Sequence, residues 1–353
     1  MHKSSNFFTP KEPAFAMQLN GTSLKLVQLT ERSGKIHIQA YAHAALPKDV
    51  MNNDAIIDAS NLAQFIETSI QSPEFGKVTT RKVAITLPES KSFVRIIQIP
   101  LMAESEVENA ILFEAESYVP MPMDQVYFDW RILQTGAENM SVLLVASPKE
   151  TVDSYLAVLE SANLEVVAIE VESQSLCRTL IPEDSTETAL LIDLDSFKTN
   201  LIMVEKGNLQ FSSSIPIAGN TFTDTIAQAL GITKPQAEAI KIKVGINNTP
   251  EYPNIRTILD PVLKNLTEEI RNVIRFHYDH SDQQIDKIVL SGGNARDKSL
   301  ADYLTAEFKD MPQVKFELGN PWQNIRNMAP DLPLAEAESL HFAATIGLAI
   351  RLL

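Results

Sequence analysis

The sequence is poor in residues and patterns that several functional classes require. It contains one cysteine, Cys177, so a disulfide or a cysteine metal site within one chain is impossible. No apolar run approaches the roughly 18 residues that a membrane helix needs, and the N-terminus lacks the apolar segment of a secretion signal. The net charge of −15 argues against nucleic-acid binding and against adsorption on anionic lipid. These absences predict a cytoplasmic protein without a nucleic-acid partner and without direct membrane insertion.

The patterns of common catalytic centres are also missing. The six histidines are scattered without metal-ligand spacing. No Ser/His/Asp arrangement stands out, and there is no Walker-type phosphate loop. Cys177 lies in an apolar helical context, which is typical of a small buried side chain rather than of a reactive thiol. We therefore expect a protein that is not an enzyme, or at most a very weak ATPase.

What the chain does contain is one pattern repeated in two places. An apolar strand, a tight polar turn, a second strand, a turn and a third strand run from Ala16 to Ala42 and again from Leu191 to Ile215. With 353 residues the chain is long enough for two or more cores. Strands separated by helical segments favour an α/β fold with mixed sheets. The repeat predicts a duplicated scaffold with a cleft between its halves.

The turns of the two repeats predict an altered nucleotide cleft. The Asn20-Gly21-Thr22-Ser23 turn can offer backbone and hydroxyl donors to a phosphate, although Asn-Gly is also the commonest hairpin signal. Asp193 ends an apolar strand and is placed to hold Mg²⁺. Gln18 stands where an acid would serve, and Asp195 stands where a glycine would serve, so like charge repels a phosphate. We expect magnesium at Asp193 only if ATP binds.

Two later segments are further candidates for the cleft. Ser291-Gly292-Gly293-Asn294 directly follows a strand, and its glycines permit close approach of a flat ring or of a neighbouring backbone. Glu238 and Lys241 lie three residues apart on one helix face, which suits contact with a ribose or an ordinary ion pair.

Residues 91–163 form a compact unit that interrupts the first half. The pattern is strand, helix, two strands around Gly136, and helix. Methionines on both sides of Pro122 give the unit a soft apolar edge, which is explained by core packing or by a groove for a partner peptide. The residues predicted to face a partner are Tyr118, Met121, Met123 and Tyr127.

In order and spacing, these segments resemble the PilM family of type IV pilus assembly proteins, in the actin/FtsA-like superfamily. The resemblance runs from about Phe15 to the C-terminus. The segments that carry it are Met17–Leu29, Ile97–Pro100, Glu114–Pro120, Leu143–Ala146, Ala237–Lys241, Leu290–Ala295, Asn320–Trp322 and Ile346–Arg351. It implies an α/β, actin-like (ribonuclease H-like) duplicated fold with an inserted SHS2-like subdomain of the FtsA 1C type.

The resemblance also implies a division of the chain. The parts are a flexible leader (1–12), a first half of 1A type (13–90 with 164–182), the inserted subdomain (91–163), a second half of 2A/2B type (183–333) and a C-terminal helix that returns to the first half (334–353).

The function implied is that of a cytoplasmic scaffold, peripheral to the inner membrane through a protein partner. The partner is the N-terminal tail of a PilN-like protein, held in a groove between the first and inserted subdomains. Other pilus components and self-association are further expectations. Family members bind ATP in the cleft, which here corresponds to Asn20, Gly21, Thr22, Ser23, Lys25, Asp193, Gly219, Glu238, Lys241, Gly292 and Gly293.

This chain departs from the family pattern on the phosphate side. Gln18 replaces the first acid, Asn20 and Asp195 replace glycines, and Ala218 replaces one glycine of a pair. We therefore expect ATP binding to be weakened or lost.

Two alternatives remain open. One is a small-molecule kinase of the same superfold, which needs acids at both turns, and Gln18 removes the first. The other is an FtsA-like division protein, which is expected to carry a membrane-binding helix beyond a linker. The sequence ends at Leu353, within or just after its final predicted helix.

Overall fold

The computed structural model describes residues 12–353, and the structural statements below refer to that part of the chain. The predicted flexible leader, residues 1–12, lies outside the described residues apart from its last member. No helix within the described range is both long and apolar enough to span a bilayer.

The first half opens with an antiparallel meander, as the sequence predicts. Its strands are β1 (Phe15–Leu19), β2 (Ser23–Arg32) and β3 (Lys35–Ala45). Ala16 pairs with Val27, and Leu26 pairs with Ala42. Strand β1 is buried along its whole length, and Gln18 is its one polar residue.

The apolar spacing of residues 54–71 predicts a helix over that range, but the helix begins later. The elements here are β4 (Met51–Asn52), β5 (Ala55–Ile56), α1 (Ala59–Gln71), β6 (Phe75–Gly76) and β7 (Lys82–Leu87). Asn53 and Asp54 have positive φ angles of 47° and 62°, which a right-handed helix cannot accommodate. A small hairpin therefore precedes the helix, and the Asp58 carboxylate caps it by accepting from the Asn61 N–H at 3.0 Å.

The inserted unit has the predicted order of elements. They are β8 (Phe93–Pro100), α2 (Glu104–Ala115), β9 (Val126–Thr135), β10 (Asn139–Pro148) and α3 (Lys149–Ser161). Val142 and Leu144 of β10 share a core with α2. Leu143 and Val145 alternate with these residues and therefore face the opposite side of the sheet. There they pack with α3 and with the core of the first half. The two sides of this small sheet therefore serve different neighbours.

The chain then completes the first half and begins the second meander. The elements are β11 (Glu165–Val171), α4 (Glu172–Leu180), β12 (Thr188–Leu194), β13 (Thr199–Glu205) and β14 (Asn208–Ile215). The rest of the second half contains α5 (Gly219–Leu230), α6 (Lys234–Val244), α7 (Ile255–His280), β15 (Lys287–Ser291), α8 (Lys298–Glu307) and β16 (Lys315–Leu318).

The final apolar segment, predicted as one helix over 334–352, is broken. It forms α9 (Glu336–Ser339), a 3₁₀ turn at Leu340–Phe342 and α10 (Ala343–Leu352). The tighter turn buries both Leu340 and Phe342, whereas positions two apart in an α-helix point to nearly opposite sides. In α10, Ile346 and Leu348 pack with Ala16 of the first half.

The sheet topology shows the duplication directly. Strand order β11-β7-β1-β2-β3 in the first sheet is repeated as β16-β15-β12-β13-β14 in the second. Strands β1 and β12 each lie between one parallel and one antiparallel neighbour. The inserted strands continue the second sheet in the order β8-β10-β9, joined to β14 through the pairing of Phe211 with Arg95. Because β1 and β12 occupy equivalent places, their following turns meet across the cleft.

Candidate functional site

The turn after β1 contacts the turn after β12 through side chains of both. The Asn20 amide donates to the Asp195 carboxylate at 2.7 Å. The Lys25 ammonium contacts the same carboxylate oxygen at 3.3 Å, and its side chain is 3% exposed. Three residues that the sequence singled out for the cleft are therefore close together, but they bind one another.

The donors of the first turn are used within the turn. The side-chain carbonyl of Asn20 accepts the backbone N–H groups of Thr22 at 3.0 Å and Ser23 at 2.8 Å. Both hydroxyl groups also lie within hydrogen-bonding distance of this oxygen, at 3.1 and 3.2 Å. Asn20 thus forms an Asx-type turn in place of the open, glycine-lined turn that an anion needs.

The remaining backbone donor of this turn is occupied by a carboxylate. The Gly21 N–H donates to Asp54 Oδ1 at 3.1 Å. The Phe197 ring lies 3.5 Å from the position that a Cβ at Gly21 would take, so the second turn covers the first. Asp54 is fully buried, and its positive φ aims its carboxylate at the turn.

A second buried ion-pair group lies beside the first. The Lys198 ammonium contacts Asp54 at 3.2 Å and Glu172 at 3.0 Å, and these three side chains are at most 4% exposed. Glu172 also accepts the Gln18 amide at 2.8 Å and the Asn200 amide at 3.1 Å. Gln18 is therefore a neutral donor to a buried carboxylate, where an acid would repel it. We call Lys25, Asp54, Glu172, Asp195 and Lys198 the cleft cluster.

Sequence reasoning missed Asp54, Glu172 and Lys198 as members of the site. Two signals were available in the sequence. Lys198 stands between two apolar strands of the second meander, and Glu172 directly follows strand β11. Only the packing of the two halves shows that these charges meet.

The two aspartates of the second turn have opposite pKa shifts. Burial would raise the pKa of Asp195, but the Lys25 ammonium and the Ser196 N–H together hold it below its ordinary value. Burial and the neighbouring Asp195 raise the pKa of Asp193 to about 7. Among the described residues, no group of three or more acidic, histidine or cysteine side chains is arranged to hold a metal.

Three other predicted cleft residues, Glu238, Lys241 and Gly293, line part of an adjoining cavity of about 680 Å³, whereas Gly219 and Gly292 are not in its lining. Glu238 and Lys241 form the ion pair that was one of the two expectations, at 2.9 Å, and Lys241 also donates to the Gly219 carbonyl at 3.0 Å. A Cβ at Gly292 would lie 2.5 Å from the Leu194 carbonyl oxygen, which shows that this glycine permits close backbone packing.

A second concave region separates the inserted unit from the first half. This groove has a volume of about 690 Å³, and its apolar lining is Leu87, Phe128, Trp130, Leu143, Val145, Val152, Leu156, Ile169 and Val171. Strand β9 ends one sheet and β11 ends the other in the described chain, and residues of both line the groove.

The four residues predicted to face a partner do not lie together in this groove. Tyr127 lines it. The Arg95 guanidinium lies over the Tyr118 ring, with its Cζ 5.0 Å from the ring centre. Met121 and Met123 pack against the core that α2 covers, which was the alternative explanation for the apolar edge.

One end of the groove carries paired charges. Arg178 makes two contacts with Glu170, at 2.6 and 2.9 Å, and Arg351 makes a third at 2.8 Å. Burial opposes ionisation of Glu170, but the two guanidinium groups lower its pKa below the ordinary value. Two positive charges against one negative charge leave this end with a net positive charge.

Comparison with solved structures identifies the fold. A PilM–PilN type IV pilus biogenesis complex is similar with a TM-score of 0.82 and 25% identity, over 97% of this chain and 99% of that chain. MreB 5 of Spiroplasma citri bound to AMPPNP has a TM-score of 0.55 and 13% identity, over 97% and 96% of the two chains. The ethanolamine utilization protein EutJ from Carboxydothermus hydrogenoformans has a TM-score of 0.56 and 13% identity, over 97% and 90%. The predicted actin-like α/β fold is confirmed.

Sequence relatives point to the same superfamily. The cell division protein FtsA of Streptococcus pneumoniae is 20% identical over 321 residues, which cover 79% of this chain and 70% of FtsA. FtsA of Staphylococcus epidermidis is 28% identical over 102 residues, which cover 29% of this chain and only 22% of the relative's length. The family model of the type IV pilus assembly protein PilM matches residues 17–353, and the chain therefore belongs to the PilM family of type IV pilus assembly proteins.

Proposed function

We propose that the chain is a scaffold that binds the N-terminal tail of a PilN-like inner-membrane protein in the groove between its inserted unit and its first half. The observation that carries this proposal is the groove itself, with an apolar floor between two strands that end their sheets. An extended peptide can add to such a strand and place alternate side chains on the apolar floor. That the similar solved structure is a PilM–PilN complex supports the same partner class.

This role requires no membrane insertion by the chain. The partner would hold the scaffold at the cytoplasmic side of the inner membrane, as a peripheral protein. Other pilus components and a second copy of the chain are further candidate partners under this proposal.

We also propose that the cleft binds ATP weakly or not at all and that the chain is not an enzyme. Two features of the cleft support this: the Gly21 N–H is occupied by Asp54, and Asp195 is placed between the turns. The kinase alternative needs an acid in the first turn, where Gln18 instead donates to Glu172.

Calorimetric titration with the N-terminal peptide of the accompanying PilN-like protein tests the docking proposal. Tyr127 and Tyr118 provide matched variants, because both belong to the inserted unit and are 47% and 37% exposed, but only Tyr127 lines the groove. We expect Tyr127→Glu to weaken peptide binding about tenfold or more and Tyr118→Glu to leave it unchanged. Equal effects of the two substitutions, or no binding by the wild type, would reject this groove as the docking site.

Titration with Mg-ATP tests the second proposal separately. No heat of binding is expected at millimolar nucleotide. Micromolar affinity would show that Gln18 and Asp195 are tolerated, and the claim of a degenerate cleft would then fail whatever the peptide does.

A further inference from the structure

We infer that two carboxylates of the chain itself, Asp54 and Asp195, occupy the anion-binding positions of the cleft and hold its halves together without a ligand. The inference deepens the proposed function at this one site and rests on the proposed loss of ATP binding.

The first step of the argument is that each donor of the first turn is directed at an internal acceptor. The Gly21 N–H donates to Asp54 at 3.1 Å, and the Asn20 amide donates to Asp195 at 2.7 Å. The Lys25 ammonium adds a charged contact to Asp195. These are the contacts that a phosphate receives from a backbone nest and a nearby lysine. The carboxylates therefore satisfy donors that would otherwise be buried without a partner.

The second step concerns charge. The cleft cluster contains three carboxylates and two ammonium groups, and these side chains are 10% exposed at most. Neutral donors, including Gln18 and Asn200, balance the additional carboxylate of Glu172. A polyphosphate entering this cluster would bring further negative charge into a poorly solvated region that already carries an excess of it.

The third step is that the ion pairs cross the cleft. Lys25 and Asp54 belong to the first half, whereas Asp195 and Lys198 belong to the second. Each half contributes one lysine and one aspartate, and the pairs are Lys25 with Asp195 and Lys198 with Asp54. In such an arrangement, opening the cleft separates both pairs, so electrostatic attraction between the halves is present before any ligand is added.

The fourth step connects the cleft cluster to the groove. Glu172 directly follows Val171, which lines the groove. Glu89, at the entry to the inserted unit, donates its N–H to Glu172 at 3.2 Å, and its carboxylate accepts the Ser173 N–H at 2.9 Å. The same charges that close the cleft thus fix the turn from β11 to α4 at the wall of the groove. The groove is therefore formed in the ligand-free protein.

Inorganic tripolyphosphate is the probe for this inference, because it tests the anion positions without a nucleoside. We expect no binding to the full-length wild type by calorimetry. The double variant Asp54→Asn/Asp195→Asn keeps the side-chain shapes and leaves Lys198 paired with Glu172. It should bind the probe at least about tenfold more tightly than the wild type, since it removes two like charges and leaves only neutral carbonyl acceptors, which a phosphate displaces more easily than carboxylates.

A control variant separates this local effect from net charge. Asp224→Asn/Asp260→Asn also removes two carboxylates from lysine ion pairs, but those lysine side chains are 72% and 71% exposed. This control should bind tripolyphosphate no better than the wild type. The inference is overturned if the wild type binds the probe as well as the Asp54/Asp195 variant does, or if the folded Asp54/Asp195 variant gains no more than the control.

Hydrogen exchange of the wild type provides a second test, which requires no substituted protein. Peptides covering residues 19–25 and 193–199 should be protected in the ligand-free protein and unchanged by millimolar tripolyphosphate. If the amides of these peptides exchange rapidly without ligand and become protected when tripolyphosphate is added, the internal carboxylates do not occupy the anion-binding positions. That result could occur without any ATP binding, and ATP binding could occur with protected peptides. The failure of this inference is therefore distinguishable from the failure of the proposed function.

Discussion

The cleft and the groove are two concave regions of one chain, and their linings are of opposite kinds. On the side of the two turns, the cleft is filled by buried, paired charges that the two halves contribute to each other. The groove is open and largely apolar, and its lining also contains the charged residues Asp129, Arg131, Glu170, Arg178 and Arg351. Buried charges in fixed pairs leave little for a ligand to gain, whereas exposed apolar surface is stabilised when a partner covers it. The comparison is the basis for our proposals that binding belongs to the groove and that the cleft has a structural role.

Removing the shared cation of the cleft should have the largest effect. Lys198→Met leaves the carboxylates of Asp54 and Glu172 buried without their common partner, so we expect it to lower the free energy of unfolding by about 3–5 kcal/mol. Denaturant titration measures this. The control Lys234→Met breaks an exposed pair with Asp224 and should cost less than about 1 kcal/mol. Similar losses in both variants would mean that the cleft does not hold the halves together.

Asp193 gives a prediction of the opposite sign. Its pKa is raised from 3.8 to about 7. The ionised carboxyl therefore lowers the free energy of unfolding, and this loss grows as the pH rises from about 4 to 7. Asp193→Asn should therefore be more stable than the wild type at pH 8, by about 1–3 kcal/mol, with the difference shrinking toward pH 4. Denaturation at both pH values measures the difference. A magnesium-dependent stabilisation that the variant loses would contradict this picture and restore Asp193 as a metal ligand.

His341, beside the cleft, should make the protein sensitive to acid. Burial and the Lys25 ammonium lower its pKa from 6.5 to about 4, so the folded state favours the neutral ring. This contribution to stability is complete above about pH 6.5 and is lost as the pH falls toward 4. We expect the wild type to lose about 1–2 kcal/mol more than His341→Gln between pH 7 and pH 5. Parallel pH profiles of the two proteins would show that the ring does not contribute.

A substitution in the groove should weaken binding of the tail. Leu156→Ala removes partly buried apolar surface from α3, so we expect the affinity for the PilN-like tail to fall about three- to tenfold. Leu230→Ala, on α5 and outside the groove, should leave that affinity unchanged. Calorimetry of both variants measures the contrast. Folded Lys198→Met protein could lose more affinity for the tail than Leu156→Ala does. That result would show that the cleft also contributes to binding in the groove.

Local patterns predicted much of the fold because they depend on neighbours in sequence. Both meanders, the order of elements in the inserted unit and the α/β class follow from apolar periodicity and turn residues. The start of α1 was wrong because Asp54 takes a left-handed conformation, and only its contacts with Gly21, Ser90 and Lys198 explain that conformation. The broken final helix has a similar cause, since the burial of Leu340 and Phe342 depends on the first half.

The candidate site was predictable only in part. The substitutions at Gln18 and Asp195 were visible in the sequence and indicated a damaged cleft. That Gln18 donates to Glu172 and that Asp195 is held by Lys25 depends on residues about 150 or more positions apart. The sequence predicted that Tyr118, Met121, Met123 and Tyr127 face a partner. Of these four residues, only Tyr127 is in the lining of the groove.

The sequence by itself determined the duplicated meanders and the family, because strand periodicity, turn chemistry and motif order are local properties of the chain. The tertiary structure alone decided which charges neutralise one another. Ion pairing depends on distance and burial, and neither is defined until the two halves pack. Packing also decided that the apolar residues of β10 divide between a core under α2 and an open groove, because successive residues of a strand face opposite sides of the sheet.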